Sequence, residues 1–144
     1  MNSEEYDSEI ERDLAKNPKR ARGHLISNAK GQLVAVFKIG KGVIFNWEAT
    51  MSGPVPPFSS GRAVLRYKDE RQLGAAHSFK GKVGSRLRLN FENGPMVIGT
   101  LDKKIDPEKS ITGRGNWKRG LTDASDVEIV ALLKGGHDWL KTHS

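Results

Sequence analysis

The stretch Ser85–Leu101 shows the clearest alternation of apolar and polar positions in the chain. Leu87, Leu89 and Phe91 alternate with arginine and asparagine, which is the period-two pattern of a strand with one buried face. Asn93-Gly94 follows, and this dipeptide tolerates the positive φ values of a tight hairpin turn. An apolar return strand comes next. The stretch therefore predicts a β-hairpin with one apolar face and one arginine-bearing face.

The same alternation predicts eight short strands over residues 23–119. The connections are too short for helical crossovers, and such lengths favour antiparallel neighbours. We expect an eight-strand antiparallel meander that closes into a small barrel, because closure removes exposed strand edges. A two-sheet sandwich is the main alternative. The predicted segments are His24–Ser27, Gln32–Ile39, Val43–Met51, Arg62–Lys68, Gly74–Val83, the two arms of the Ser85–Leu101 hairpin, and Ile111–Arg119.

A helix is predicted on each side of the barrel. Residues 3–16 carry an apolar residue at every fourth position, and Pro18 would end that helix. Residues 122–141 begin with Ser125 and Glu128 at the spacing of a capping box, in which each side chain satisfies a free backbone donor. We expect the whole chain, residues 1–144, to form a single domain.

Two segments break the strand pattern. The basic run Lys19–Arg22 is interpreted as an exposed linker, with a phosphate contact or a targeting patch as the alternative. The loop Met51–Gly61 contains three prolines and is expected to expose Phe58 or Val55. It could be a lid over one barrel end, an interaction loop or a rigid crossing.

Charge is concentrated in the middle of the chain. Residues 17–120 carry twenty lysines and arginines against seven acids, a net charge of +13, whereas residues 1–16 are net −4 and residues 121–144 are net −2. Such a basic body favours an anionic macromolecule as partner, or serves solubility alone. The basic side chains share the outward phase of their strands. The candidate polyanion-binding residues are Arg62, Arg66, Lys80, Lys82, Arg86, Arg88, Arg114 and Lys118.

The inward phase mixes large aromatic residues with alanine and glycine, so a cavity for one small apolar or aromatic ligand is expected inside the barrel. Tyr67 and His77 would orient such a ligand, or would act as an acid–base pair if the barrel is an enzyme. Because the rings lie in the opposite phase to the cations, base stacking on the outer face is disfavoured. The candidate ligand-binding residues are Phe37, Trp47, Tyr67, His77, Phe91 and Trp117.

No catalytic or metal-binding motif accompanies these residues. The four histidines lack metal-ligand spacing, and the carboxylates fall in loops or at strand ends. We therefore expect a non-enzymatic protein with neither metal nor cofactor. The absence of cysteine, of a secretory signal and of a long apolar run favours a cytoplasmic protein, as a monomer or an oligomer.

The leading hypothesis is thus a barrel that holds a small apolar or aromatic ligand. The alternative is a basic-surface module that binds nucleic acid or another polyanion. A barrel enzyme with an interior His/Tyr pair is the second alternative.

Overall fold

Alternating apolar and polar residues produce eight β-strands in the part of the chain that the computed structural model describes, residues 15–39 and 42–121. The strands form one closed barrel in which every neighbouring pair is antiparallel. The sandwich alternative is therefore wrong. In chain order the elements are β1 (Lys19–Ser27), β2 (Gln32–Ile39), β3 (Val43–Ser52), β4 (Ser59–Tyr67), a short 3₁₀ helix (Glu70–Gln72), β5 (Ala75–Val83), β6 (Arg86–Phe91), β7 (Met96–Thr100) and β8 (Lys109–Leu121).

The predicted meander is wrong in its strand order. Around the barrel the order is β1-β2-β3-β8-β5-β6-β7-β4, with β4 returning to β1. Two three-stranded meanders, β1–β3 and β5–β7, are joined on one side by β8 and on the other by β4. Three connections, from β3 to β4, from β4 to β5 and from β7 to β8, each pass over two strands.

The length of these connections explains the difference. Passing over two strands requires a span of about 14 Å, three times the spacing between paired strands. Six to eight residues can span more than that distance when extended. Alternation along a strand determines which side chains face the core. It carries no information about which strand lies alongside, so loop lengths alone did not distinguish a meander from this order.

The inward phase predicted for β2, β3 and β6 is confirmed. Residues 33, 35 and 37 of β2 are buried, as are Phe45 and Trp47 of β3 and Leu87, Leu89 and Phe91 of β6. These side chains belong to a single core cluster that fills the barrel. Burial of this apolar surface is the main favourable contribution to folding.

The two segments that interrupt the pattern do not behave as expected. Lys19–Arg22 is not a linker but the beginning of β1, with Ala21 buried and Arg22 exposed, because its alternation continues that of the strand. Phe58 is also not exposed. It is 5% exposed and joins the core, and its backbone exchanges hydrogen bonds with Ser27. The proline-rich loop therefore closes the barrel end at which β1 finishes.

The predicted terminal helices lie almost wholly outside the described residues. Of residues 3–16, only Ala15 and Lys16 are described, and both are helical. Residues 122–141 are not described. Asn17 is buried at the start of the barrel, where its side-chain amide donates to the Gly94 carbonyl.

Strand β8 approaches its neighbours closely because it carries glycine at two inward positions. A Cβ atom on Gly115 would collide with the Glu48 carbonyl oxygen and with the backbone and side chain of Ala49. A Cβ atom on Gly113 would meet the Thr50 carbonyl oxygen and the Phe79 ring. The contact of β8 with β3 therefore requires these positions to lack a side chain.

We expect Gly115→Ala to lower the free energy of unfolding by about 2 kcal/mol, because the added methyl group must displace backbone atoms of β3. Gly74→Ala is the matched control, since no atom lies within 4 Å of the new Cβ there. Urea unfolding curves of the two variants test this expectation. Equal midpoints for both variants would show that β8 can shift at no cost.

Candidate functional site

The interior of the barrel contains a cluster of aromatic rings. Phe37, Trp47, Phe91 and Trp117, four of the predicted ligand-binding residues, are all buried and pack against one another and against Phe79. The ring centroids in contact are 4.8 to 6.2 Å apart, and Trp47 meets Phe91 edge to face. Such tilted and edge-to-face contacts are the favourable geometries for aromatic pairs. In the described residues these rings occupy the centre of the barrel.

Two polar atoms inside this cluster have no hydrogen-bond partner among residues 15–39 and 42–121. They are the indole Nε1 atoms of Trp47 and Trp117. These two residues lie opposite each other in the pairing of β3 with β8. The ring centroids of the two residues are 4.9 Å apart. A buried indole N–H usually finds an acceptor, because leaving it unpaired costs about 1–3 kcal/mol. A ligand in the interior could accept a hydrogen bond from either of these two donors.

His77 does not project into the aromatic cluster as its phase predicted. It lies at the barrel end at which β5 begins, where its Nδ1 is 3.1 Å from Glu92 Oε1 and its Nε2 is 2.8 Å from the Gly74 carbonyl oxygen. The Asn93 side-chain amide nitrogen also lies 3.4 Å from Nε2, so the ring is held by three polar neighbours. The strand is near its end there, so its alternation no longer determines burial.

Tyr67 is buried, but in the described residues it forms no hydrogen bond with His77. Burial raises the pKa of its phenol, and the nearby Glu70 carboxylate raises it further. A phenol with a raised pKa is a poor base near neutral pH. The predicted His77–Tyr67 pair is thus not assembled as an acid–base dyad.

A side-chain network near His77 was not predicted. Gln72, in the short 3₁₀ helix, donates to the Asn93 carbonyl, and the Asn93 amide donates back to the Gln72 carbonyl. Asp69 caps the helix by accepting from the Arg71 backbone N–H. The three-residue spacing of Asp69 and Gln72 is a capping signal that could have been recognised in the sequence. The network holds the connection from β4 to β5 against the turn between β6 and β7.

All eight predicted polyanion-binding residues lie on strands β4, β5, β6 and β8 with outward phase. Six of them lie on the adjacent strands β8, β5 and β6, and we call this set the basic strip. The other two, Arg62 and Arg66, lie on β4, and β7 separates them from the strip. The basic strip comprises Lys80, Lys82, Arg86, Arg88, Arg114 and Lys118.

Strand pairing aligns the cations of the basic strip. Lys82 is the Cα partner of Arg88, and Arg114 is the partner of Ser78, two residues before Lys80. Cations at alternate positions of one strand are about 6.6 Å apart, and neighbouring strands are about 4.8 Å apart. The strip therefore presents positive charge as a two-dimensional array rather than at isolated points.

Carboxylates of the described residues lie beside two lysines of the basic strip. Glu108 Oε1 lies 3.9 Å from Lys82 Nζ, and Glu48 Oε2 lies 3.8 Å from Lys118 Nζ. Exposed pairs at such distances are weak and are screened by salt. Between the cations the outward positions carry small polar side chains that can donate to phosphate oxygens. These are Ser78, Asn90, Ser110, Thr112 and Asn116.

A second basic feature, which the sequence reasoning missed, is a groove of about 670 Å³ across β2, β1 and β4. Its cations are Arg22, Lys38 and Arg62. His24 also lines the groove, and its buried Nδ1 has no partner in the described residues. The signal for it in the sequence is the alternation of Arg20, Arg22 and His24 with the buried residues Ala21, Gly23 and Leu25.

The described residues lack two features that would indicate a function. No group of three or more histidine, aspartate or glutamate side chains is arranged to hold a metal ion there. No helix in residues 15–39 and 42–121 has the length and apolar character to cross a bilayer. Neither result assigns a function.

Glu92 provides a test of the His77 network. The hydrogen bond from His77 lowers the pKa of the Glu92 carboxyl below its ordinary value, with a further contribution from the Ser78 N–H. A carboxyl group with a lowered pKa stabilises the fold above its unfolded pKa of about 4.3. That contribution is lost as the pH falls through the folded pKa. We therefore expect Glu92→Gln to be less stable than wild type at pH 6, with the difference shrinking towards pH 3.

Urea unfolding at a series of pH values measures this difference. Glu70→Gln is the matched control, because the Glu70 carboxylate is exposed at the same barrel end and forms no hydrogen bond with a described residue. A difference between wild type and Glu92→Gln that stays constant from pH 6 to pH 3 would contradict the assigned role.

Comparisons with known proteins add no family to this description. Neither the models of protein families, nor the curated proteins, nor the solved structures contain a match to the chain. The function therefore has to be argued from the geometry of the barrel interior, the basic strip and the groove.

Proposed function

We propose that this protein is a binding module that contacts nucleic acid through its phosphate backbone, using the basic strip on β5, β6 and β8. The observation that carries the proposal is the register, which places six cations on one outer surface of three adjacent strands. Neutralising phosphates releases condensed counterions, and this release supplies most of the affinity of such contacts.

The rings support contact with the backbone rather than with the bases. Phe79, Phe91 and Trp117, which lie on the same strands as the cations, are buried inside the barrel. Recognition of a single strand by stacking needs rings on the surface that tracks the backbone. The strip instead combines lysine and arginine with hydroxyl and amide groups, which suit phosphate oxygens. Binding should therefore depend weakly on sequence and strongly on salt.

We expect a duplex DNA to bind with an affinity that falls steeply with salt, because each phosphate neutralised contributes about −0.9 to the slope of log K against log salt. Replacing Arg86 and Arg88 together by glutamine should make the slope shallower by about 2. Fluorescence anisotropy of a labelled duplex at several salt concentrations measures both quantities.

The matched control is the double change Lys103→Gln and Lys104→Gln, which removes the same charge from an exposed loop outside the basic strip. It should change the slope by much less. An equal loss in the two double variants would indicate general charge attraction and would overturn the proposal. Tighter binding of a single strand than of a duplex would also contradict backbone recognition.

A small ligand inside the barrel is the second candidate function, and a separate observation favours it. An eight-strand barrel can hold one small molecule. In this one the rings of Trp47 and Trp117 have centroids 4.9 Å apart, and their indole N–H groups have no partner among the described residues. A ligand that enters must displace part of the ring cluster and must bring an acceptor. The candidate ligand is thus a flat aromatic molecule with a carbonyl or similar oxygen.

The fluorescent naphthalene ketone prodan has this chemistry and tests the candidate. We expect saturable binding with a blue-shifted emission and with energy transfer from tryptophan. Trp117→Phe keeps an aromatic ring and removes one donor, so it should weaken binding roughly tenfold. Emission that stays at its aqueous position at every protein concentration would rule out the interior site.

A further inference from the structure

The groove across β2, β1 and β4 is a concave feature on the outside of the barrel. The pairing of β1 with β4 shifts register at this groove, between Gly23 and Leu25. Gly61 also leaves one lining position without a side chain. Its volume of about 670 Å³ is in the range of sites that hold small molecules.

The charges of the groove select for an anion. Arg22 is the Cα partner of Lys38 across β1 and β2, and Arg62 faces them from β4. No carboxylate is among the described lining residues. Asp102 lies near Gly61, where its oxygens accept from Ser59 and from the Gly61 N–H, and its negative charge offsets one of the three cations. Two guanidinium groups can each bind two oxygens of a phosphate group, which a lysine cannot do.

His24 adds a hydrogen-bond requirement. Its Nδ1 is buried and has no partner in the described part of the chain, although buried polar atoms are normally paired. A Cβ on Gly61 would lie 3.8 Å from this nitrogen, so glycine there leaves room beside it. An N–H at Nδ1 would be satisfied by an anionic oxygen, and this is the same group that the arginines favour.

The remaining lining is apolar. Val36, Ala63 and Val64 contribute aliphatic surface to the groove. This surface would contact the carbon body of a ligand, and its burial favours an organic anion over a simple ion. Ligand sites commonly combine apolar walls with a few convergent polar groups.

We propose that this groove binds a phosphate monoester that carries a small apolar body. The phosphate lies between Arg22, Arg62 and His24, and the body lies on Val36 and Val64. The groove shares no residue with the basic strip, so the proposal does not depend on nucleic-acid binding by the strip. The phosphate can belong to a free small molecule or to the 5′ end of a nucleic acid.

Isothermal titration with three probes tests the chemistry. Phenyl phosphate should bind saturably, roughly tenfold more tightly than inorganic phosphate, while phenol should not bind. Arg22→Gln, Arg62→Gln and His24→Ala should each weaken phenyl phosphate binding by roughly tenfold. Competition with phenyl phosphate by an oligonucleotide with a 5′-phosphate, but not by its 5′-hydroxyl form, would assign the phosphate to a nucleic-acid end. Competition by neither would assign it to a small molecule.

Lys80→Gln combined with Lys82→Gln is the matched control, because both residues lie in the basic strip on the other side of β7. This control should leave phenyl phosphate binding unchanged while it weakens duplex binding. The groove site is overturned if phenyl phosphate fails to saturate at millimolar concentration. It is also overturned if the control weakens binding as much as Arg22→Gln does. Circular dichroism of each variant confirms that the barrel remains folded.

Discussion

The contact between Trp47 and Trp117 is the interaction on which the barrel depends most. These residues are Cα partners in β3 and β8, and β8 is the strand that joins the meander β1–β3 to the meander β5–β7. The glycines of β8 let its backbone approach β3 and Phe79, so the two indoles can meet at the centre. Without this close approach the two meanders would expose two sheet edges.

Filling the interior with rings has a consequence for the outer surface. Side chains alternate strictly between the two faces of a strand, so each ring inside is flanked by a residue outside. In β5, β6 and β8 many of those outer residues are lysine or arginine, whereas in β2 and β3 they include Val34 and Ile44, which form a small outer apolar cluster. The barrel therefore has a basic side and a less charged side.

The strands and their phase could be predicted because they depend on local alternation. The segment Gln32–Ile39 has the same limits in the prediction and in the structure. In the Ser85–Leu101 hairpin, the residues predicted to be buried, Leu87, Leu89 and Phe91, are buried. Strand order could not be predicted, because neighbours in the barrel are set by long-range packing. Burial at strand ends was also beyond the pattern, as His77 shows, because loops rather than the sheet determine the surroundings there.

The two charged candidate sites also differ in whether local alternation predicts them. The basic strip could be predicted from the outward phase of its cations, since charge and phase are both local properties. The groove could not, because it needs β1 to lie between β2 and β4, and that neighbourhood exists only in the closed barrel.

The buried ring nitrogens without a partner depend both on local alternation and on the arrangement of strands in the closed barrel. The inward phase of Trp47 and Trp117, whose indole N–H groups lack a partner, was predicted from the sequence. No phase was predicted for His24, whose Nδ1 also lacks a partner. Their lack of a partner is a property of the assembled barrel, and the alternation along one strand does not show it. Three ring nitrogens of the described residues are thus buried without a partner, although buried polar atoms are normally paired, and a ligand with an acceptor oxygen could satisfy them. Inside the barrel the packed rings restrict access to the indole N–H groups of Trp47 and Trp117. At the His24 Nδ1 the groove and its three cations favour an anion.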